Sequence, residues 1–119
     1  MSSKDLIVIY HNPVCSSSRG ALEILRSRGL EHEVIEYLQE PLSQKDFENL
    51  LGMLSGEPGE LVRRDKRFKE LGLDPTTLST ATAVTATLLK HPELMQRPVI
   101  VRHGRAVIAR PPEKIDEVL

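Results

Sequence analysis

Leu6-Ile7-Val8-Ile9-Tyr10-His11-Asn12-Pro13-Val14-Cys15-Ser16-Ser17-Ser18-Arg19 reads as a strand, a turn and the start of a helix. The β-branched run Leu6-Ile7-Val8-Ile9-Tyr10 predicts a buried strand. His11-Asn12-Pro13 ends it, because Pro removes a backbone donor and presets φ for a turn. From Ser16 onward Ala21, Leu22, Ile24 and Leu25 recur near helical spacing, and Gly29 supplies the stop. Glu33-Val34-Ile35-Glu36-Tyr37 predicts a second strand. The result is a β-α-β unit, whose strands pair in parallel through a right-handed crossover.

Downstream the pattern turns helical. Ser43 stands three residues before Asp46, a capping pattern, and Phe47, Leu50, Leu51 and Leu54 form one apolar stripe. Gly56, Pro58 and Gly59 break it. Short helical pieces are expected around 60–64 and 66–71, closed by Gly72, and a further helix over 79–90 carries Val84, Leu88 and Leu89. Pro98-Val99-Ile100-Val101 and Arg105-Ala106-Val107-Ile108 flank His103-Gly104, which predicts a β-hairpin. Pro111-Pro112 opens a short terminal helix. The order β-α-β, helical insert, β-β-α is that of an α/β, thioredoxin-like fold with a mixed four-stranded sheet. The whole chain, 1–119, is expected to be one such domain, with the helical insert at about 43–92.

Composition narrows the functional classes. The 119 residues are 39% hydrophobic and 28% charged, with only 3% aromatic, so aliphatic side chains must fill the core. No apolar run reaches the roughly 18 to 20 residues of a membrane span, and the start, 1–5, has no leader-like apolar stretch. A cytoplasmic location without membrane attachment is expected. A net charge of −1 argues against nucleic-acid binding, which relies on a basic excess. The single cysteine excludes an internal disulfide and a multi-thiolate metal site, and no metal is expected.

A lone cysteine is by default a small buried hydrophobe. The setting of Cys15 reverses that default. It lies at or just before a helix N-terminus, where free N–H groups and the positive end of the macrodipole stabilise an anion. Such positions lower a thiol pKa from about 8.5 to between about 3.5 and 7.5. Arg19 follows one turn on, where its cation adds to the effect. Ser16, Ser17 and Ser18 offer donors suited to an oxyanion cradle, or simply cap the helix. His11 is a candidate for orienting or ionising the thiol, and otherwise, like Asn12, a turn residue. Three residues between Cys15 and Arg19 do not make the longer C-x5-R cradle of the cysteine phosphatases.

With these residues in view the chain resembles the glutaredoxin-coupled arsenate reductase (ArsC) family. The stretch from His11 to Arg19 matches the family loop H-N-P-x-C-x-x-S-R, with Ser18 and Arg19 in its last two places. The likeness continues through Glu36-Tyr37-Leu38, Glu70-Leu71-Gly72-Leu73, His91-Pro92, Arg97-Pro98-Val99-Ile100-Val101 and Gly104-Arg105…Arg110-Pro111. These blocks keep family order across almost the whole chain.

The resemblance implies that Cys15 attacks arsenate to give a thiol-arsenate adduct, that glutathione attacks the adduct, and that glutaredoxin resolves the mixed disulfide. Glutathione is then a co-substrate, and no cofactor is bound. His11, Cys15 and Arg19 take the catalytic places, and Ser18, Arg63, Arg97 and Arg110 bind the oxyanion. Planar guanidinium groups suit a tetrahedral oxyanion through paired hydrogen bonds. Pro98 takes the place of a cis proline beside the thiol. Arg63 follows Leu61-Val62 as the family pattern asks, but the chain is one residue short before Phe68. Arg64 is therefore the alternative and Arg67 a more distant one. The chain departs from proven reductases at Ser16-Ser17, where a Gly-Thr pair is usual, and at Gly20, where Asn is usual.

Two other readings share the loop. A glutathione-dependent reductase or deglutathionylase would use the same thiol on protein mixed disulfides. An Spx-like regulator of this fold would bind RNA polymerase, often with a Cys-x-x-Cys switch; here Ser18 replaces the second cysteine.

Overall fold

The computed structural model describes residues 6–119. The opening stretch 1–5, expected from its sequence to be no leader, lies outside the described residues. The chain divides into two compact units, one of Met1–Glu40 with Arg97–Leu119 and one of Pro41–Gln96.

The first unit carries the sheet. Among the described residues its strands are β1 (Ile7–His11), β2 (His32–Glu36), β3 (Val99–Arg102) and β4 (Arg105–Ile108), in the order β2-β1-β3-β4. β1 pairs with β2 in parallel, as a β-α-β crossover requires, and with β3 antiparallel; β3 and β4 form the hairpin. This mixed sheet is the thioredoxin-like α/β arrangement. β1 and β2 each sit one residue from their expected bounds, because the parallel register runs from Ile7↔His32 to His11↔Glu36. His11 thereby becomes the last residue of β1 rather than the first of the turn.

The helix α1 (Ser16–Ser27) and a terminal 3₁₀ helix (Pro112–Glu117) complete this unit. One core holds it together: Ile7 and Ile9 of β1, Ile100 and Val107 of the hairpin, Ala21, Leu22 and Leu25 of α1, and Ile115 and Val118. Each large aliphatic side chain removed from water here contributes roughly 1.5–3 kcal/mol. The hairpin turns at His103 and Gly104 with φ of 55° and 73°, the left-handed pair that a two-residue hairpin turn needs. The terminal helix, expected from Pro111-Pro112, is 3₁₀ and has Pro112 in its first turn.

The second unit holds α2 (Gln44–Met53), α3 (Lys66–Glu70) and α4 (Ala81–Lys90), with 3₁₀ turns at Pro58–Leu61, Pro75–Thr77 and Pro92–Leu94. α2 starts at a full capping box, the Ser43 side chain accepting from the Asp46 amide and the Asp46 side chain from the Ser43 amide. α2 packs on α4, and Phe47, Leu50, Leu51, Val84 and Leu88 are buried. The helical piece expected around 60–64 is a 3₁₀ turn that starts earlier, because Pro58 suits a first helical position. α4 starts at Ala81 because the Thr80 side chain caps it, accepting from the Ala83 amide. An antiparallel bridge joins Val62 to Met95, flanked by bonds from the Arg63 amide to the Leu94 carbonyl and from the Gln96 amide to the Leu61 carbonyl. No helix among the described residues is long and apolar enough to cross a membrane.

Candidate active site

The loop after β1 is built by its own side chains. The Cys15 amide donates to the Asn12 carbonyl at 3.1 Å, closing a turn with Pro13 at its second position. The Asn12 Oδ1 accepts from the Val14 amide at 3.1 Å, so the asparagine braces the turn from inside. The Arg19 side chain folds back, Nη1 donating to the Pro13 carbonyl at 3.2 Å. Val14 projects outward, 80% exposed, while Cys15 turns inward at 8%.

Cys15 is the N-cap residue of α1, with extended backbone and no side-chain cap bond. The Arg19 amide bonds to the Cys15 carbonyl at 2.9 Å, so the helical ladder begins only there. The amides just before it have no partner within the helix, and the first turn carries no acidic residue to draw them away from the sulfur. Burial alone pushes the thiol pKa up. The amide of Ser18, the hydrogen bond and charge of Arg97, and the amide of Ser17 together outweigh it and leave the thiol below its ordinary value.

The sheet delivers the arginines. The register Val99↔Ile108 continues through a 3.0 Å bond from the Ala109 amide to the Pro98 carbonyl, setting Arg97-Pro98 beside Arg110-Pro111. Both Arg-Pro peptides are cis, including the one at Pro98 that the resemblance implies. Tyr10↔Val99 is the last β1–β3 pair, so both dipeptides stand at the sheet end from which the Cys15 loop leaves. Arg110 Nη1 lies 3.5 Å from the Cys15 sulfur and donates to the Arg97 carbonyl at 3.2 Å. Arg110 thus contacts the sulfur, while Arg97 lowers the thiol pKa through both its hydrogen bond and its charge. Arg97 Nε is buried and holds no hydrogen-bond partner.

Ser18 and His11 meet behind the loop. The Ser18 hydroxyl is sealed from solvent, 2.7 Å from His11 Nδ1, and it accepts from the Asn12 amide at 2.9 Å. Ser18 therefore faces the thiol through its amide, and its hydroxyl is engaged elsewhere. Burial pushes the His11 imidazole below its ordinary pKa; Glu36 opposes this, and Arg26 and Arg19 assist it. The sequence assigns Asn12 to the turn alone; the structure adds that the Ser18 hydroxyl joins its amide to His11. The only signal was the spacing, since a third helical position can turn back toward the strand that precedes it.

A family model described as the ArsC family matches residues 10–118. The chain belongs to the ArsC family. It is 43% identical over 116 residues to an arsenate reductase of Neisseria meningitidis serogroup A, spanning 95% of this chain and 97% of that one. To the uncharacterized protein YfgD of Escherichia coli it is 38% identical over 115 residues, spanning 95% and 96%. A solved arsenate reductase from Vibrio cholerae matches it with a TM-score of 0.85 at 36% identity, covering 97% of this chain and 98% of that one.

Among the residues singled out in this ArsC chain, His11, Cys15, Ser18, Arg19, Arg97 and Arg110 fall in the unit that carries the sheet. Arg63 belongs to the other unit, half-buried, with Nη1 3.0 Å from Asp65. Arg64 is exposed and its guanidinium lies beside Gly59, while Arg67 pairs with Glu93 at 3.0 Å. No group of three His, Cys, Asp or Glu side chains among the described residues gathers to hold a metal ion.

Proposed function

We propose that this protein reduces arsenate to arsenite, with Cys15 as nucleophile and glutathione and glutaredoxin as the source of electrons. The observation that carries the reading is the Cys15 sulfur between free helix-terminal amides and two guanidinium groups, its pKa lowered. That setting stabilises a thiolate and offers donors to a tetrahedral oxyanion next to it. The family relationship and the arsenate reductases among the relatives point to arsenic as the central atom.

The chemistry follows from the residues. The Cys15 thiolate displaces hydroxide from arsenate, forming an S–As(V) bond. A glutathione thiolate then attacks the Cys15 sulfur; an S–S bond forms, the S–As bond breaks, and its electron pair reduces arsenic to As(III). Two electrons are needed and this chain has one cysteine, so the second sulfur comes from outside. Glutaredoxin returns Cys15 to the thiol. No resident cofactor is required, and the need for a reduced thiol pool assigns the protein to the cytoplasm. Arg97 and Arg110 hold the oxyanion, with Arg63 as the third guanidinium and Arg64 as its alternative. The amides of Ser17 and Ser18 hold the thiolate.

The test is arsenate-dependent NADPH oxidation coupled through glutathione, glutaredoxin and glutathione reductase, with Cys15→Ser beside the native chain. Turnover lost in the variant supports the reading. Turnover of glutathionylated protein substrates but not of arsenate replaces it with the deglutathionylase alternative.

A further inference from the structure

The hairpin that sets Arg97 beside Arg110 carries a second arginine pair at its other end. Arg102 closes β3, Arg105 opens β4, and the register makes them direct partners across the His103-Gly104 turn. Arg102 lies two residues beyond Ile100 and Arg105 two before Val107, so strand alternation puts both on the sheet face that those core residues occupy. Arg105 is exposed and Arg102 half-buried. Like charges directly opposite each other in a sheet are destabilising. No acidic side chain offsets this pair: the ion pairs among the described residues belong to Arg28, Arg63, Arg67 and His91.

The Arg102 Nε is also buried and bonded to nothing. A donor on a charged group that is buried without an acceptor costs more than an ordinary lost hydrogen bond. Among the described residues one other arginine has its Nε in that state, Arg97, beside the thiol. The two places are separate. The β1–β3 register runs from Tyr10↔Val99 to Val8↔Val101, so the turn after Arg102 stands at the sheet end opposite the Cys15 loop.

We propose that Arg102 and Arg105 form a second oxyanion site, for a doubly charged tetrahedral anion of the phosphate class. Two fixed cations match its two charges, and each planar guanidinium can offer paired donors to its oxygens. Bound between them, the anion turns a repulsion into two attractions and brings an acceptor to the Arg102 side chain. A carboxylate, with a single charge, leaves part of the repulsion in place. The net charge of −1 makes the pair a local feature and not part of a basic surface, which favours a small anion over a nucleic-acid backbone. Inorganic phosphate and a small phosphate monoester present the same chemistry.

NMR titration of the full ¹⁵N-labelled chain with inorganic phosphate tests the site, at mildly alkaline pH and with ionic strength held constant by chloride. The proposal expects saturable shifts at the Gly104 amide and the Arg102 Nε–H, weakened about tenfold or more in Arg105→Gln. Shifts that do not saturate, equal shifts with chloride alone, or an unchanged response in Arg105→Gln overturn it. Glycerol phosphate separates the two sources: saturation by it as well assigns a monoester, and saturation by phosphate alone assigns the free ion. The Ser17 and Ser18 amides report the Cys15 loop in the same spectra, so the two sites succeed or fail separately. Thermal unfolding gives a second readout. At low salt Arg105→Gln relieves the repulsion, so its Tm should exceed the native value, and added phosphate should raise the native Tm more than that of the variant. A variant less stable than native at low salt would mean that the chain already balances this arginine, and would overturn the site.

Discussion

Arg110 and Cys15 stand 95 positions apart in the chain, and the guanidinium of one lies 3.5 Å from the sulfur of the other. The hairpin register brings them together, and the Arg97 carbonyl holds Arg110 in place at 3.2 Å. Lysine can supply the charge at this position but not the planar fork that reaches a carbonyl and an anion at once. Arg110→Lys and Arg97→Lys are each expected to lower kcat/KM for arsenate by roughly 10- to 100-fold, the loss of one or two charge-assisted bonds. Steady-state kinetics of the two variants checks this, and native values in both would remove the arginines from the site.

The lowered thiol pKa sets a pH dependence with a definite sign. Alkylation of Cys15 by iodoacetamide should stay fast at pH values where an ordinary thiol, with a pKa of about 8.5, is already protonated. Between the folded and unfolded pKa values the unfolded chain binds more protons, so the contribution of Cys15 to stability rises with pH across that window. It is complete above the unfolded value and is lost as pH falls through the folded one. Denaturant titrations of native protein and Cys15→Ser at several pH values should diverge in that direction.

Gly20 lies against the terminal helix. A Cβ built there would stand 2.9 Å from Pro112 Cγ and 3.3 Å from Pro112 Cβ. Replacing a helical glycine by alanine ordinarily gains about 1 kcal/mol. Here the proline ring cannot swing aside, and Gly20→Ala is expected to cost about 1–3 kcal/mol instead. In a Pro112→Ala background the same change should recover much of that loss. A double-mutant cycle in urea measures the coupling.

The capping box of α2 gives a simpler test of stability. Ser43→Ala removes the acceptor for the Asp46 amide at 3.1 Å, and the expected loss is about 1 kcal/mol. Ser43→Asp should restore most of it, as measured by thermal unfolding.

Much of the fold was legible because its signals are local. The apolar run before His11, the proline after it, the serine three residues before Asp46 and the His103-Gly104 turn each act over a few residues. The strand ends were off by one because the register decides them, and that depends on which residues of two distant segments face each other. The Cys15 setting was readable for the same local reason, since a helix N-terminus follows from Pro13 and the serines. Ser18 was not: an oxyanion donor and a buried brace require the same residue, and only the position of His11 at the end of β1 distinguishes them. The pairing of Arg97 with Arg110 depends on hairpin register, which the two-residue turn fixes. Arg63 had no such anchor, because its place comes from a family pattern that this chain follows one residue short.

Mass spectrometry of the intact protein after incubation with arsenate and glutathione, without glutaredoxin, is the most direct test of the central claim. The prediction is a glutathione disulfide on Cys15 that forms only when arsenate is present, with one arsenite released for each. A disulfide that forms equally well without arsenate, or none on Cys15 at all, would contradict it.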